Sequence, residues 1–586
     1  MPKAVKSLSA YLMLYLGIAC LPSYAQLNPA SSAPGAIIQH DTQPWSLPGD
    51  QSPNLPQPTN QAPTPTAPSD LKPIEIDPLK DKHLAPDDKL KLFIKHVRLF
   101  DNTLLKRNDV EEIVAPYENR ELNFTDMQTL ANKLTELYQQ EGYINSEVYI
   151  PVQDFANQTL KLTALEARVE EIAYKPTRWF PKRGILPRIA LKEDEPVNVR
   201  ALSQSIRYIN ENPDITLQAR LKKGDKPGTS DVLLQGASRF PIHVTPFMDN
   251  LGRDSIGKQR FGSTITDNNL LGFGDISTSV ISFTSRSFGL VEQYTVPVGT
   301  HGTRLGMNYA YSNVKLGGSI APLDIHSHSH IFTPLLSQPL WKSDRGGLIS
   351  TLGFDFKNLD TDIFGTQRLH RDRLRVFRPS LEGYLNDRWG RTFANQEFAL
   401  GLDILGGSIG NTDLASRAGA GTKFFSMSGG LTRIQRLPWG TTGVLRGRYQ
   451  YSPNRLLSAE QFQIGGAYTV RGYTEGRQLG DSGYLGNAEW YVPALMLPKR
   501  LHLPFMKQPL RQSLQFVGFT DFGENFVNSP VSGQKGHNVM LGCGVGLRVQ
   551  LNRLLVGRLD VAFPLIRQDS DELRPRLHFG LQSTLF

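Results

Sequence analysis

The part of the chain from Pro241 to Phe586 alternates apolar with polar or small side chains and shows no helical periodicity. The pattern is plainest over the segments 305–311, 352–357, 398–404 and 555–563. Strands with one apolar and one polar face suit a closed barrel that meets lipid outside and water inside. Roughly 345 residues at about 21 per strand and connection give about 16 strands, an even number as closure requires. The sequence therefore predicts a transmembrane antiparallel β-barrel over residues 240–586.

The end of the chain fits this pattern only in part. Phe586 is a terminal aromatic residue of the kind that outer-membrane barrels carry, but Leu577, Phe579 and Leu581 alternate on the opposite parity. We therefore expect the last strand to bulge or to stop before Phe586.

The amino-terminal segment indicates export. Residues 1–25 combine Lys3 and Lys6, an apolar run and the small-residue site Ser23-Tyr24-Ala25, as a secretory signal peptide does. Residues 26–73 follow as a proline-rich segment that cannot bury a core and predicts a semi-extended linker. Within this segment, residues 33–43 are a possible short helix. Cys543 is the one cysteine beyond the signal, so no intrachain disulfide is expected.

Residues 74–167 predict a compact α/β unit. A strand at 93–99 precedes a helix whose Val110, Ile113, Val114 and Tyr117 share one face. A second helix is predicted to begin at a capping box of Thr125 and Gln128 and to end at Gly142. Alternation then predicts strands at 148–152 and 160–165, which gives the order β-α-α-β-β.

Residues 168–239 repeat this order. A strand at 169–174 leads to a helix with Leu202, Ile206 and Ile209 on one face, which we expect to stop at Asn212-Pro213. Strands at 215–221 and 231–235 complete the second unit, joined by a glycine-rich turn at 224–228. The two units form a tandem repeat of roughly 75 residues.

The segment from Gly465 to Tyr473 departs from the alternation around it. Its glycines permit backbone shapes closed to other residues, and its tyrosines can pack against a wall around a single arginine, Arg471. The local sequence alone favours an exposed hairpin whose arginine points at water, and a loop folded into the barrel is the alternative. Phe519 and Asp521 lie two residues apart and so face the same side of a later strand.

Several segments together carry a resemblance to a known family. They are Gly142-Tyr143, Gly224 to Asp231, Asp249-Asn250, Asp267 to Asp275, Val470-Arg471-Gly472-Tyr473 and Phe519-Thr520-Asp521-Phe522-Gly523. With the order signal, linker, two α/β repeats and barrel, the chain resembles the outer-membrane transporters of two-partner secretion, the ShlB/FhaC/HecB or TpsB type, within the BamA-like superfamily. The repeats are similar to POTRA domains, which would make 74–167 the first and 168–239 the second.

The resemblance implies a set of contacts in the barrel lumen. The loop with Val470, Arg471, Gly472 and Tyr473 would fold inward and bring Arg471 to Asp521, beside Phe519 and the neighbouring Gly523. Whether such a pair gates the pore or only shapes it stays open, because buried ion pairs also serve to specify structure.

The resemblance also implies partners. The POTRA domains, in the periplasm, would capture the amino-terminal secretion domain of a TpsA-type exoprotein of hemolysin or adhesin type, and the barrel, in outer-membrane lipid, would pass it to the surface. The barrel assembly machinery would insert the chain, which we expect to be monomeric. Some members carry a helix that plugs the pore, and residues 33–43 are the candidate here. The identity of the exoprotein and its activation during transport are left open.

Other functions are less well supported. The net charge of +9 is spread along the chain without a basic run, which argues against nucleic-acid binding. The Gly-x-Ser-x-Gly match at 406–410 lacks the strand-to-helix elbow of a hydrolase, so no enzyme is predicted. His326, His328 and His330 share a strand face, where zinc binding is less expected than a loop or lumen-facing polar stripe. No cofactor is expected.

Competing hypotheses are a BamA-like or TamA-like assembly factor, an outer-membrane hydrolase, and a passive porin. The two repeats and the long linker favour secretion.

Overall fold

The computed structural model describes residues 74–76, 91–155, 157–407, 414–498, 501, 509–530, 534–551, 555–568 and 573–585. The predicted signal peptide and linker, the possible helix at 33–43, Ser408 and Phe586 lie outside the described residues. No helix in these ranges is long and apolar enough to cross a membrane.

The first α/β unit lies between residues 92 and 165. The elements up to that point are β1 (Ile74–Ile76), β2 (Leu92–Ile94), β3 (His96–Phe100), α1 (Arg107–Val114), β4 (Arg120–Leu122), α2 (Phe124–Gln140), β5 (Glu147–Tyr149) and β6 (Thr159–Leu165). β6 pairs in parallel with β3 and antiparallel with β5, while β2 pairs with β4. The buried core joins α2 to the sheet through Leu130, Leu134, Tyr138, Leu160 and Leu162.

Three local predictions for this unit are wrong, and the first is the strand at 93–99, which is divided at Lys95 into β2 and β3 of different sheets. Helix α2 begins at an Asn123–Asp126 capping box rather than at Thr125 and Gln128, with Asp126 N donating to Asn123 Oδ1 at 2.7 Å. Asn123 has extended backbone, so the first turn starts two residues earlier than predicted and satisfies the same amide donors. β5 ends at Tyr149, since Pro151 has no amide to donate to a ladder, and Val152 is fully exposed.

The second unit has the predicted order β-α-α-β-β, whereas the first unit also contains the strand pair of β2 and β4. It contains β7 (Arg168–Tyr174), α3 (Lys182–Ile185), α4 (Val199–Ile209), β8 (Ile215–Lys223) and β9 (Thr229–Ser238). α4 ends before the predicted stop, because the Asn210 side chain exchanges two hydrogen bonds with the backbone of Leu217. The sheet order is β1-β8-β9-β7, with β1 added in parallel along the free edge of β8.

The barrel is closed by antiparallel pairing of its first and last strands. Its elements are β10 (Ile242–Asp249), β11 (Arg260–Asp267), β12 (Ile276–Phe283), β13 (Ser287–Val298), β14 (Thr303–Lys315), β15 (His326–Ser343), β16 (Gly346–Ile363), β17 (Gln367–Asp387), β18 (Gly390–Gly401), β19 (Phe424–Arg436), β20 (Thr442–Tyr451), β21 (Phe462–Ile464), β22 (Gln478–Gly480), β23 (Ser482–Pro493), α5 (Leu510–Ser513), β24 (Leu514–Phe526), β25 (His537–Leu551), β26 (Leu555–Pro564) and β27 (Arg576–Gln582). β21 and β22 pair only with each other, which leaves the predicted 16 strands in the barrel.

The two faces of the barrel strands differ as the alternation predicts. Leu305 and Leu559 are exposed on the outside, whereas Asp355 and Asp560 are completely buried inside. β18 ends at Gly401, so the predicted continuation of that strand to residue 404 is wrong. β27 ends at Gln582, which confirms that the last strand stops before Phe586.

The second unit is fastened to the periplasmic turns of the barrel through buried Asp214. The carboxylate of Asp214 accepts hydrogen bonds from Asn268 Nδ2 at 2.7 Å and Arg239 Nη2 at 3.2 Å, and lies 2.8 Å from His243 Nε2. Asn269 Nδ2 donates to the backbone oxygen of Trp179 at 2.7 Å. The conspicuous polar turn at 267–275 therefore joins the periplasmic unit to the barrel.

Candidate functional site

The segment between β20 and β23, residues 452–481, folds back into the barrel and is called the inward loop below. Its two short strands, β21 and β22, lie against β24 of the barrel wall. Gly465, Gly466 and Gly472 have φ angles of +98°, +113° and +95°, which non-glycine residues rarely adopt. The exposed hairpin that the local sequence favours is therefore wrong, and the structure has the inward fold that the family resemblance implies.

Arg471, near the tip of the loop, is buried against the barrel wall with 3% of its surface exposed. Its Nε donates to Asp521 Oδ2 at 2.6 Å and its Nη2 to Asp521 Oδ1 at 2.7 Å, a bidentate pair. The backbone amide of Arg471 also donates to Asp521 Oδ2, at 3.0 Å. The guanidinium carbon lies 3.5 Å from the ring centroid of Phe519. Phe519 and Asp521 therefore hold the same arginine, one over its face and one along its edge.

Two further carboxylates surround the guanidinium. Glu489 Oε1 of β23 accepts from Arg471 Nη1 at 2.6 Å, and Asp560 Oδ2 of β26 lies 3.9 Å from the same nitrogen. Each of these wall carboxylates also contacts arginines of the wall itself: Arg446 at Glu489, and Arg548 and Arg558 at Asp560. The tip of the loop thus enters an ionic network that spans several strands, which we call the tip cluster.

The other residues of the predicted motif pack the loop on the wall. Val470 forms a buried cluster with Ile464, Tyr473 and Met540. A Cβ at Gly523 would lie 2.7 Å from Val470 Cγ2, and one at Gly472 would lie 2.7 Å from the backbone nitrogen of Pro564. Both positions need glycine because of these close approaches.

Tyr473 fixes the loop beyond the arginine. Its hydroxyl lies 2.9 Å from the backbone oxygen of Leu541 and 2.8 Å from that of Ile566, and accepts from the amide of Ile566 at 3.1 Å. All of the sequence-predicted site residues are therefore brought together on one side of the lumen.

The stem of the inward loop makes a second ionic attachment, which we call the stem cluster. Glu460 Oε2 accepts from Arg378 Nη2 at 2.5 Å and Glu460 Oε1 from Lys357 Nζ at 2.7 Å. Arg378 also donates to Asp355 at 2.6 Å and to Glu397 at 2.8 Å. These wall residues lie on β16, β17 and β18, a different sector from the tip cluster.

The base of the loop is tied to its extracellular neighbours through buried Asp481. Its carboxylate accepts from the amide of Leu456 at 2.8 Å and from that of Asn528 at 2.6 Å, and it pairs with Arg417. The loop is therefore fixed at its base, stem and tip.

Sequence reasoning missed Glu489, Glu460 and the wall arginines as site residues. The alternation over 555–563 puts Arg558 and Asp560 on the polar face of their strand, and this is the only indication in the sequence that they face the lumen. Parity indicates that a charged residue faces the lumen but not which distant strand it meets, because that depends on the curvature of the closed barrel.

The motifs set aside from the sequence lie away from this site. His326, His328 and His330 alternate with buried Ser327 and Ser329, so they lie on the outer face of β15, and the interpretation as a lumen-facing stripe is wrong. Within the described ranges no group of histidine, cysteine and acidic side chains is arranged to hold a metal ion.

Comparison with known proteins gives two family matches. The sequence model of the haemolysin secretion/activation protein family ShlB/FhaC/HecB matches residues 228–549, and that of the ShlB-type POTRA domain matches residues 92–167.

Individual relatives are distant but cover most of the chain. The heme/hemopexin transporter protein HuxB of Haemophilus influenzae (strain 86-028NP) is 23% identical over 77% of this chain and 79% of its own. The outer membrane transporter CdiB of Dickeya dadantii (strain 3937) is 26% identical over 70% of this chain and 74% of its own. The solved structure of CdiB from Escherichia coli superposes with a TM-score of 0.65 at 19% identity, over 86% of this chain and 93% of that one. The structure of BamA from Haemophilus ducreyi, which lacks POTRA domains 1–3, superposes with a TM-score of 0.52 at 13% identity, over 84% of this chain and 100% of that one.

Proposed function

The chain belongs to the haemolysin secretion/activation protein family ShlB/FhaC/HecB, and we propose that it captures an extended partner protein in the periplasm and passes it through the barrel beside the inward loop. It is an outer-membrane translocator of the two-partner secretion type, with its barrel in the outer membrane and its POTRA domain in the periplasm. Proteins of this family transport partner exoproteins.

The observation that carries this proposal is the inward loop held in the lumen by buried Arg471. One guanidinium and three carboxylates hold the loop to the wall, and their side chains have at most 5% of their surface exposed. Removing one partner of such a pair costs on the order of 3–5 kcal/mol, so the attachment is strong enough to set the shape of the lumen. We propose that Arg471 and Asp521 keep the loop against β24 until a partner enters.

Capture is assigned to the sheet edges of the periplasmic units. In the first unit, β5 pairs with β6 on one side, and in the described residues no other strand pairs with it. An extended segment of the partner can add to such an edge through backbone hydrogen bonds, which demand little of the partner's sequence. The exposed side chains of Tyr149 and Val152 beside this edge would contribute apolar contacts. The second unit, with the order β-α-α-β-β, acts as a second POTRA domain.

The partner is a large secreted protein that presents its amino-terminal secretion domain to these units. Among the relatives, HuxB is named for the transport of heme and hemopexin, and ShlB of Serratia marcescens is named for the transport of hemolysin. The partner proposed here is an exoprotein of hemolysin or adhesin type. The transporter acts as a monomer without catalytic activity of its own, and the barrel assembly machinery inserts it. An assembly factor of BamA type is the weaker alternative, because BamA shares the fold at only 13% identity.

The proposal is tested by measuring release of the partner into the medium with Arg471→Ala and with residues 92–165 deleted. We expect both changes to reduce secretion strongly at normal outer-membrane levels of the transporter, the first through the lumen and the second through capture. Arg433→Ala is the matched control, since Arg433 pairs with the partly exposed Asp387 outside the lumen. Undiminished secretion by both variants would reject the mechanism.

A further inference from the structure

Two buried charges of opposite sign join the inward loop to the ionic clusters of the barrel wall. Arg471 enters the tip cluster and Glu460 enters the stem cluster, and the side chains of both have at most 5% of their surface exposed. The two clusters occupy different strands, so the wall holds the loop at two separate places.

The wall part of the tip cluster depends on the loop for one of its ion pairs. Glu489 pairs with Arg446 of the wall, and Asp560 pairs with Arg548 and Arg558. Asp521 has its ion pair with Arg471 of the loop. If the loop withdraws, the buried carboxylate of Asp521 loses that pair, which is costly.

The wall part of the stem cluster differs, because its charges pair with one another without the loop. Arg378 and Lys357 face Asp355 and Glu397, with Lys357 Nζ 3.3 Å from Asp355 Oδ2. Glu460 of the loop adds a third carboxylate. Withdrawal of the loop from the stem cluster leaves equal numbers of cations and anions.

From this difference we infer that Glu460 and Arg378 form a second latch on the inward loop and that this latch, unlike the one at Arg471, is built to open. An uncompensated buried charge is strongly destabilising, so a wall that needed the charge of the loop would hold the loop permanently. The wall of the stem cluster is neutral and paired alone, and Glu460 is the surplus charge. Glu460 is therefore a positioning residue for the loop.

Two carboxylates on the same guanidinium provide a test. Glu460→Gln removes the charge on the loop and leaves the wall balanced, so we expect the loop to leave the lumen about threefold more often. Glu397→Gln removes a wall charge, so the cluster is balanced only while Glu460 is present, and we expect about threefold less release. Both substitutions preserve size and a hydrogen bond acceptor for Arg378. A purely structural role of the cluster predicts that both variants loosen the loop.

The readout is the open fraction of the purified full-length protein in planar lipid bilayers, which requires no secreted partner and separates this inference from the proposed function.

Thiol labelling of Ser458→Cys in a Cys543→Ser background gives a second measurement, because Ser458 is 8% exposed while the loop is in place. Arg373→Gln serves as control, since Arg373 lies on β17 and pairs with Asp360 of the wall. The inference would be overturned if Glu460→Gln and Glu397→Gln changed the open fraction in the same direction, or if neither variant changed it.

Discussion

At the scale of single residues, the guanidinium of Arg471 is matched to its site by its planar shape. It meets Asp521 along one edge, Glu489 at one corner and Phe519 on one face, which a point charge could not do at once. Arg471→Lys retains the charge but loses the bidentate geometry, so we expect the substitution to reduce secretion almost as much as Arg471→Ala. Release of the partner into the medium, at matched transporter levels, measures this. Secretion by the lysine variant at the native level would mean that charge alone suffices.

Glu170 makes the turn that closes the second unit sensitive to acid. Glu170 Oε2 accepts a hydrogen bond from the hydroxyl of Thr229 at 2.6 Å and another from the amide of Lys226 at 3.2 Å. These two bonds lower the pKa of Glu170 from its ordinary value of 4.5, and the bond from the hydroxyl has the larger effect. Because the pKa of Glu170 is lower in the folded turn than in the unfolded chain, ionised Glu170 stabilises the turn at any pH above the ordinary pKa. This stabilisation is lost as the pH falls through the folded-state pKa.

We therefore expect the turn at 224–229 to loosen on acidification below about 4.5. A spin label at Asp225→Cys in a Cys543→Ser background reports its mobility. In a Glu170→Gln background the label should show the same mobility at neutral and acid pH, and a persistent pH response there would assign the effect to another group.

The residues predicted from the sequence and those missed differ in the range of their contacts. Phe519 and Asp521 could be paired with Arg471 only because a family resemblance supplied the long-range contact, although their two-residue spacing follows from strand geometry. Glu460 lies in a short helical turn with no alternation to indicate its direction. Its contact with Arg378 depends on the path of the loop through the lumen, which local pattern does not encode.

At the scale of elements, β1 protects the sheet edge of the second unit. Ile74, Glu75 and Ile76 pair in parallel with residues 219–221 of β8, the edge equivalent to β5 of the first unit. Unpaired edges invite addition of other strands, so a short strand from the same chain shields this one.

Replacing Glu75 by proline should release β1 from β8. We expect faster amide hydrogen exchange at residues 219–221, while residues 232–234 of the inner strand β9 keep their protection. Glu193→Pro, in an exposed turn of the same unit, controls for a general effect of proline. Unchanged exchange at 219–221 would show that β1 contributes no protection.

Elements were predicted more reliably than their ends. Alternation located the barrel strands because a closed barrel repeats one physical rule on every strand. The ends of α2, α4 and β5 are set by single side chains or by a proline, such as the Asn210 pair with Leu217, and the periodicity of apolar residues does not indicate them.

At the scale of the whole molecule, Asp214 couples the periplasmic arm to the barrel. Its buried carboxylate contacts Arg239, His243 and Asn268 at once. Asp214→Ala should therefore leave the two bodies folded but free to change their relative orientation. Spin labels at exposed Lys222 and His301, again with Cys543→Ser, should give a broader distance distribution in this variant. Glu193→Ala is the control, and a distribution as narrow as that of the native protein would assign the coupling to other contacts.

The inward loop has one more property that follows from its composition. Residues 452–481 contain the arginines 455, 471 and 477 and the carboxylates 460, 475 and 481, so the segment as a whole carries no net charge. Moving one elementary charge through a membrane potential of 100 mV involves about 2.3 kcal/mol, and the contributions of opposite charges that move together cancel. We therefore expect the open fraction to depend only weakly on voltage, and reversing the polarity across a planar bilayer checks this. Opening would then be driven by the chain that enters the lumen and not by the electric field across the membrane.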